Sequence, residues 1–112
     1  MTQDQFDTLS ALGHFYLVHG FPERALVIFK ALHLVDKNQV HTLRSLALSY
    51  ARTNKPSEAI NALDQLALQG DMDGPYHLLR SQVLMRLNRN TEATASMRAY
   101  MNAIEARQKA IA

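Results

Sequence analysis

The chain repeats itself every 34 residues, and that spacing limits the folds open to it. The stretch "GFPERALVIF" (20–29) is followed by "NKPSEAINAL" (54–63) and then by "NRNTEATASM" (88–97). Each copy carries one alanine at the same point of its run: Ala25, Ala59 and Ala93. A period of this length fits a helix–turn–helix unit that cannot bury its apolar face alone and therefore stacks on its neighbours. The sequence predicts three such units, over about 6–39, 40–73 and 74–107, forming one domain across 1–112.

The columns of the repeat have physical reasons. Leu9, Leu12 and Tyr16 fall on one face of a helix, and Leu43, Leu46 and Tyr50 follow them one period later. A small position holds Gly13, Ala47 and Ser81. A turn position holds Gly20, Asn54 and Asn88, residue types that tolerate the left-handed backbone at a helix C-terminus. Pro22 and Pro56 come just after the turn, where a missing N–H costs nothing. Large residues then recur at Phe29, Leu63 and Met97, and at Leu32, Leu66 and Tyr100. Ala25 is expected to face the Gly13 region, so that paired helices meet closely there. Over essentially the whole chain this pattern resembles the tetratricopeptide repeat. The resemblance implies an all-α fold of three helix–turn–helix repeats, wound into a short right-handed superhelix with a concave groove.

Six helices are expected, at about 6–19, 22–35, 40–53, 57–69, 75–87 and 91–109. The joints between repeats are "DKNQ" (36–39) and the looser "LQGDMDGP" (68–75), which carries Asp71 and Asp73. The third repeat departs from the pattern, because Arg80 stands in a column that wants a large apolar residue. Its apolar stripe reads better as Tyr76, Leu79, Val83 and Leu87, a register shifted by one. The last helix is expected to run into an alanine-rich tail and to serve as its own cap.

Bulk properties exclude several classes. The 112 residues are 47% hydrophobic and 20% charged, which argues against disorder. A net charge of +2 with no long basic run gives no nucleic-acid or anionic-membrane surface. There are no cysteines, hence no disulfide, thiolate nucleophile or cysteine zinc site. The polar N-terminus is no signal peptide, and no apolar stretch approaches a membrane span. The five histidines, His14, His19, His33, His41 and His77, make no i,i+4 pair and no HExxH motif. They read as ordinary surface or groove side chains. No phosphate loop or fixed carboxylate pair is present, so neither an enzyme nor a cofactor or metal site is expected.

Function is then expected on the concave surface, which the first helix of each repeat lines. The positions facing it are Ser10, His14, Leu17 and Val18, then Arg44, Leu48, Ala51 and Arg52, then Gln82, Met85 and Arg86. Ser10, His14 and Arg44 do not reproduce the Lys/Asn clamp with which some tetratricopeptide proteins hold an acidic C-terminus. The lining, largely apolar with Arg at intervals, suits an amphipathic helix or a mostly apolar segment.

The first repeat, "LGHFYLVHGFPERALVIFKALHL", is more particular. Gly13, Gly20, Glu23-Arg24-Ala25, Ala31-Leu32 and Leu34 resemble the small chaperones of the type III secretion apparatus, and most closely the SctY (YscY) family. That resemblance implies a bacterial cytoplasmic, virulence-associated chaperone, working as a heterodimer with its client. It would bind an early export substrate similar to SctX and deliver it to the export-gate protein SctV. Alternatives are a needle-subunit co-chaperone, a translocator chaperone, or a generic peptide-binding repeat scaffold. The short segment before the first repeat argues against the translocator class, whose members carry an extra N-terminal helix.

Overall fold

Each first helix of a pair ends in the same way, and the ends reproduce the repeat. Phe21 N–H donates to Tyr16 O at 2.8 Å, Lys55 N–H to Tyr50 O at 2.9 Å, and Arg89 N–H to Leu84 O at 3.0 Å. These bonds close a Schellman-type turn through a residue in the left-handed region. That residue is Gly20 (φ +81°), Asn54 (φ 60°) or Asn88 (φ 58°), the predicted turn column. Pro22 and Pro56 are then the first residues of the returning helices.

The computed structural model describes residues 1–111. Its helices are α1 (Gln3–Val18), α2 (Pro22–Val35), α3 (Val40–Arg52), α4 (Pro56–Leu68), α5 (Gly74–Arg86) and α6 (Asn90–Ile111). There is no strand among the described residues. The bounds lie within three residues of those expected. The largest difference is at the start of α1, where a capping box forms one turn earlier. Gln5 N–H donates to Thr2 Oγ1 at 3.2 Å, and Thr2 N–H donates to Gln5 Oε1 at 2.9 Å.

Two apolar clusters form the core, and α3 is the wall between them. Leu46 packs with Phe6, Leu17, Ala25, Leu26, Phe29 and Leu32. Leu43 and Ala47 pack on the other side, with Ala59, Ile60, Leu63, Leu66, Tyr76, Val83 and Leu84. Burying Leu43 and Leu46 stabilises the fold by roughly 1.5–3 kcal/mol each.

The small column is buried throughout: Ala25 and Ala59 are fully enclosed and Ala93 nearly so. The neighbour that presses on Gly13 is, however, the ring of Phe29 rather than Ala25. A Cβ built on Gly13 would stand 2.6 Å from Phe29 Cζ.

In α5 neither expected register holds alone. Tyr76 and Val83, from the shifted stripe, are buried together with Ser81 and Leu84, from the strict period. The helix is enclosed over a broad arc. Arg80 sits half-buried in its apolar column because its head is paired, with Asp64 of α4 at 2.9 Å and with Glu92 of α6 at 4.0 Å. The long last helix buries only Ala93 and Ser96, and Met101 and Ile104 are left exposed.

Candidate binding groove

Residues four and eight apart share a helix face. Three such rows, one period apart, make a three-by-three surface, closed only at Ser10: Ser10, His14 and Val18 on α1; Arg44, Leu48 and Arg52 on α3; Leu78, Gln82 and Arg86 on α5. Between α3 and α5 this surface opens into a cleft of about 280 Å³. Arg44, Leu48, Leu78, Leu79 and Gln82 form its sides, Pro75 and Asp73 stand at one end, and Leu63, Leu66 and Tyr76 lie beneath. Arg44, Leu48 and Gln82 were expected there. Leu78 was not, although it lies one period after Arg44, because Arg80 points to a register shifted by one in α5.

Three residues expected in the groove belong to the core instead. Ser10, Leu17 and Ala51 are buried. The next repeat's first helix reaches two of them: Arg52 of α3 bonds the Leu17 carbonyl and Arg86 of α5 that of Ala51. Met85 occupies the same column but no helix follows it there among the described residues, and it is exposed, as is Val18.

The arginines are each anchored to the scaffold. Arg52 Nη1 donates to Leu17 O at 2.9 Å, and Arg86 Nη1 donates to Ala51 O at 2.5 Å. Arg52 thus reaches a carbonyl of the last turn of α1, and Arg86 adds a second donor to the Ala51 carbonyl, which also accepts the Asn54 N–H at 3.4 Å. Arg44 is held by both acids of the second joint. Its Nε and Nη2 donate to the two oxygens of Asp71, and Nη2 also donates to Asp73. The bond to Asp71, with that to Asp73, raises the guanidinium pKa above its ordinary value. Burial pushes the Asp73 carboxyl up, but the Tyr76 N–H and Arg44 outweigh it and hold the group below the usual carboxylate range. Asp73 also caps α5 by accepting the Tyr76 N–H at 3.0 Å. The joint at 68–75, expected to be loose, is thus tied to α3.

The histidines are not all isolated. The Nε2 atoms of His14 on α1 and His41 on α3 lie 2.6 Å apart, and Ser45 Oγ is 3.3 Å from His14 Nε2. One imidazole must donate its Nε2 proton to the other's lone pair, so the two carry opposite tautomers. Burial, and then the neighbouring His41, lower the pKa of His14. No group of three or more metal-ligating side chains occurs among the described residues.

Helix pairs of this kind, with a concave face open to solvent, define a class of helical-repeat proteins. No protein-family model matches the sequence, and no curated protein sequence is similar to it. Among solved structures, the chain is similar to PcrH in complex with the chaperone binding region of PopB. The TM-score is 0.83 at 18% identity, over 95% of this chain and 86% of that one. At that identity the likeness establishes the shared all-helical fold.

Proposed function

We propose that this protein is a chaperone of the type III secretion apparatus that holds a segment of an export client in its concave groove. One observation carries the reading: an apolar cleft stands open on the groove of a fold shared with PcrH, a protein crystallised with the chaperone binding region of PopB. Leu48, Leu78 and Leu79 offer a client's apolar side chains a surface that would otherwise face water. Action is by binding, without turnover. No helix among the described residues is long and apolar enough to cross a membrane, which suits a bacterial cytoplasmic chaperone.

The resemblance of the first repeat to the SctY family makes an SctX-like early substrate the client, delivered to SctV as a heterodimer. A translocator chaperone fits comparably, and the likeness to a structure with a bound chaperone-binding region favours that second reading.

Co-expression tests both. The chain is produced with each small secretion protein encoded beside it, and complexes are separated by size exclusion. A stable one-to-one complex with an SctX-like protein supports the first reading, and one with a translocator supports the second. Absence of secretion genes nearby, with no complex formed, would leave a generic repeat scaffold.

A further inference from the structure

The two edges of the groove carry opposite charge. At the edge where α3 and α5 begin, Arg44 is held between Asp71 and Asp73. Two carboxylates against one guanidinium leave a net charge of 1 − 2 = −1. The C-terminus of α4 and the N-terminus of α5 both flank this joint, and their opposite half-charges offset. Both acids remain open to solvent, Asp73 with 41% of its side chain exposed and Asp71 with 25%. Each carboxylate oxygen has a second lone pair beyond the bond it accepts.

At the edge where α1, α3 and α5 end, the charge is positive. Arg52 and Arg86 are exposed, and each gives one N–H to a backbone carbonyl. Neither pairs with a carboxylate among the described residues. A guanidinium has five N–H donors, so most of each fork is free. The apolar strip of Leu48, Leu78 and Leu79 starts at the middle of α3 and reaches the early turns of α5, where Leu78 stands level with Arg44. From Arg44 to Arg52 is eight residues of helix, about 12 Å, which matches the roughly 10–12 Å diameter of an α-helix with its side chains.

We propose that the groove takes an amphipathic helix of the client lying across α3 and α5, with its apolar stripe on Leu48, Leu78 and Leu79, a cationic flank against Asp71 and Asp73, and a carboxylate flank against Arg52 and Arg86. The two flanks then fix which way round a given client helix lies, since turning it end for end would set like charge against like on both edges. This rests on the groove being the client site.

The test uses three synthetic helical peptides with one leucine stripe: Lys on one flank and Glu on the other, Lys on both, and Glu on both. Affinities are measured by fluorescence anisotropy at low and high salt. The split peptide is expected to bind several-fold more tightly than either uniform one, with the difference shrinking as salt rises. Asp71→Asn with Asp73→Asn keeps oxygens that accept from Arg44 and a residue that caps α5, but removes the negative charge. It is expected to weaken the split peptide by about fivefold and to strengthen the Glu-only peptide. Arg52→Gln with Arg86→Gln is expected to weaken the split peptide and strengthen the Lys-only one. Each ratio compares protein variants on one peptide, so the peptide's own helicity cancels. Equal binding of all three peptides, abolished by Leu48→Asp, overturns the charge assignment and leaves the groove as the client site. No binding, or binding indifferent to Leu48→Asp, overturns both.

Discussion

The ring of Phe29 closes on Gly13 so tightly that no Cβ fits between them: one built there would stand 2.6 Å from Cζ and 2.8 Å from Cε2. The same two columns hold Ala47 with Leu63 and Ser81 with Met97 in the later repeats. Bulk is traded between columns, and the smallest residue stands opposite the rigid ring. Gly13→Ala is expected to destabilise the fold by about 1–3 kcal/mol through overpacking, despite alanine's better helix propensity. Adding Phe29→Leu, which reproduces the second repeat's pair, should cost less than the sum of the two single changes. Urea denaturation of the single and double variants measures this, and additive losses would show that the two residues do not share one space.

Arg52 and Arg86 tie successive repeats by the same bond, each to a carbonyl at the end of the preceding first helix. Arg→Met keeps most of the apolar stem and removes the donors. Each change is expected to lower stability by about 0.5–1.5 kcal/mol. Unchanged urea midpoints would show that water serves those carbonyls equally well.

The helices and their turns were legible because the reasons for them are local or periodic. Gly20, Asn54 and Asn88 announce left-handed turns, and Pro22 and Pro56 announce helix starts, without reference to anything distant. The groove was legible only where it follows the period. Arg44, Leu48 and Gln82 follow the period and line the cleft, while Leu78 is obscured by the nearby Arg80, whose ion pairs to Asp64 and Glu92 cannot be read from spacing. The Arg44 network and the His14–His41 pair were missed for one reason. Both join residues 27 or 29 apart, which is no multiple of the repeat, and both depend on how a joint folds back. Leu17 and Ala51 are buried, not groove-facing, because a face that is inner within one helix pair is covered once the next repeat stacks on it; Ser10 is buried as well.

The His14–His41 contact makes stability depend on pH with a defined sign. Burial and His41 hold the pKa of His14 below its ordinary 6.5. The unfolded chain therefore binds a proton at higher pH than the folded one does. Above 6.5 both states are neutral at this site and nothing is lost. As pH falls through 6.5 and then through the lower folded value, the unfolded state gains, and stability declines. The melting temperature should drop between pH 7.5 and pH 5.5, and His14→Gln should reduce that drop. An identical drop in the variant would assign the pH dependence to other groups.

With Leu48, Leu78 and Leu79 lining an open cleft and Met85 and Met101 exposed where α5 meets α6, the isolated chain presents apolar surface to water. It should bind a dye sensitive to exposed apolar surface and self-associate as concentration rises, and both signals should fall when a client segment is bound. A dilute monomer without dye signal would mean that the cleft is closed in solution.

Leu48 is the residue at which binding and folding can be separated. It stands in the middle of the three-by-three surface and lines the cleft, yet it is only half-buried, unlike Leu43 and Leu46 on the same helix. Although Leu48 packs on the edge of the Phe6–Leu46 cluster, an aspartate there keeps a route to water, so helical content by circular dichroism should stay near that of the parent. The same aspartate would be desolvated beneath a seated client and would find Asp73 at the end of the cleft. Client affinity is therefore expected to fall by at least about tenfold, or 1.4 kcal/mol. Leu46→Asp is the contrasting change, because Leu46 is 5% exposed and lies in the core. It should unfold the chain and remove binding together. Equal loss of helicity in both variants would mean that Leu48 supports the fold as much as Leu46 does, and that the client surface lies elsewhere.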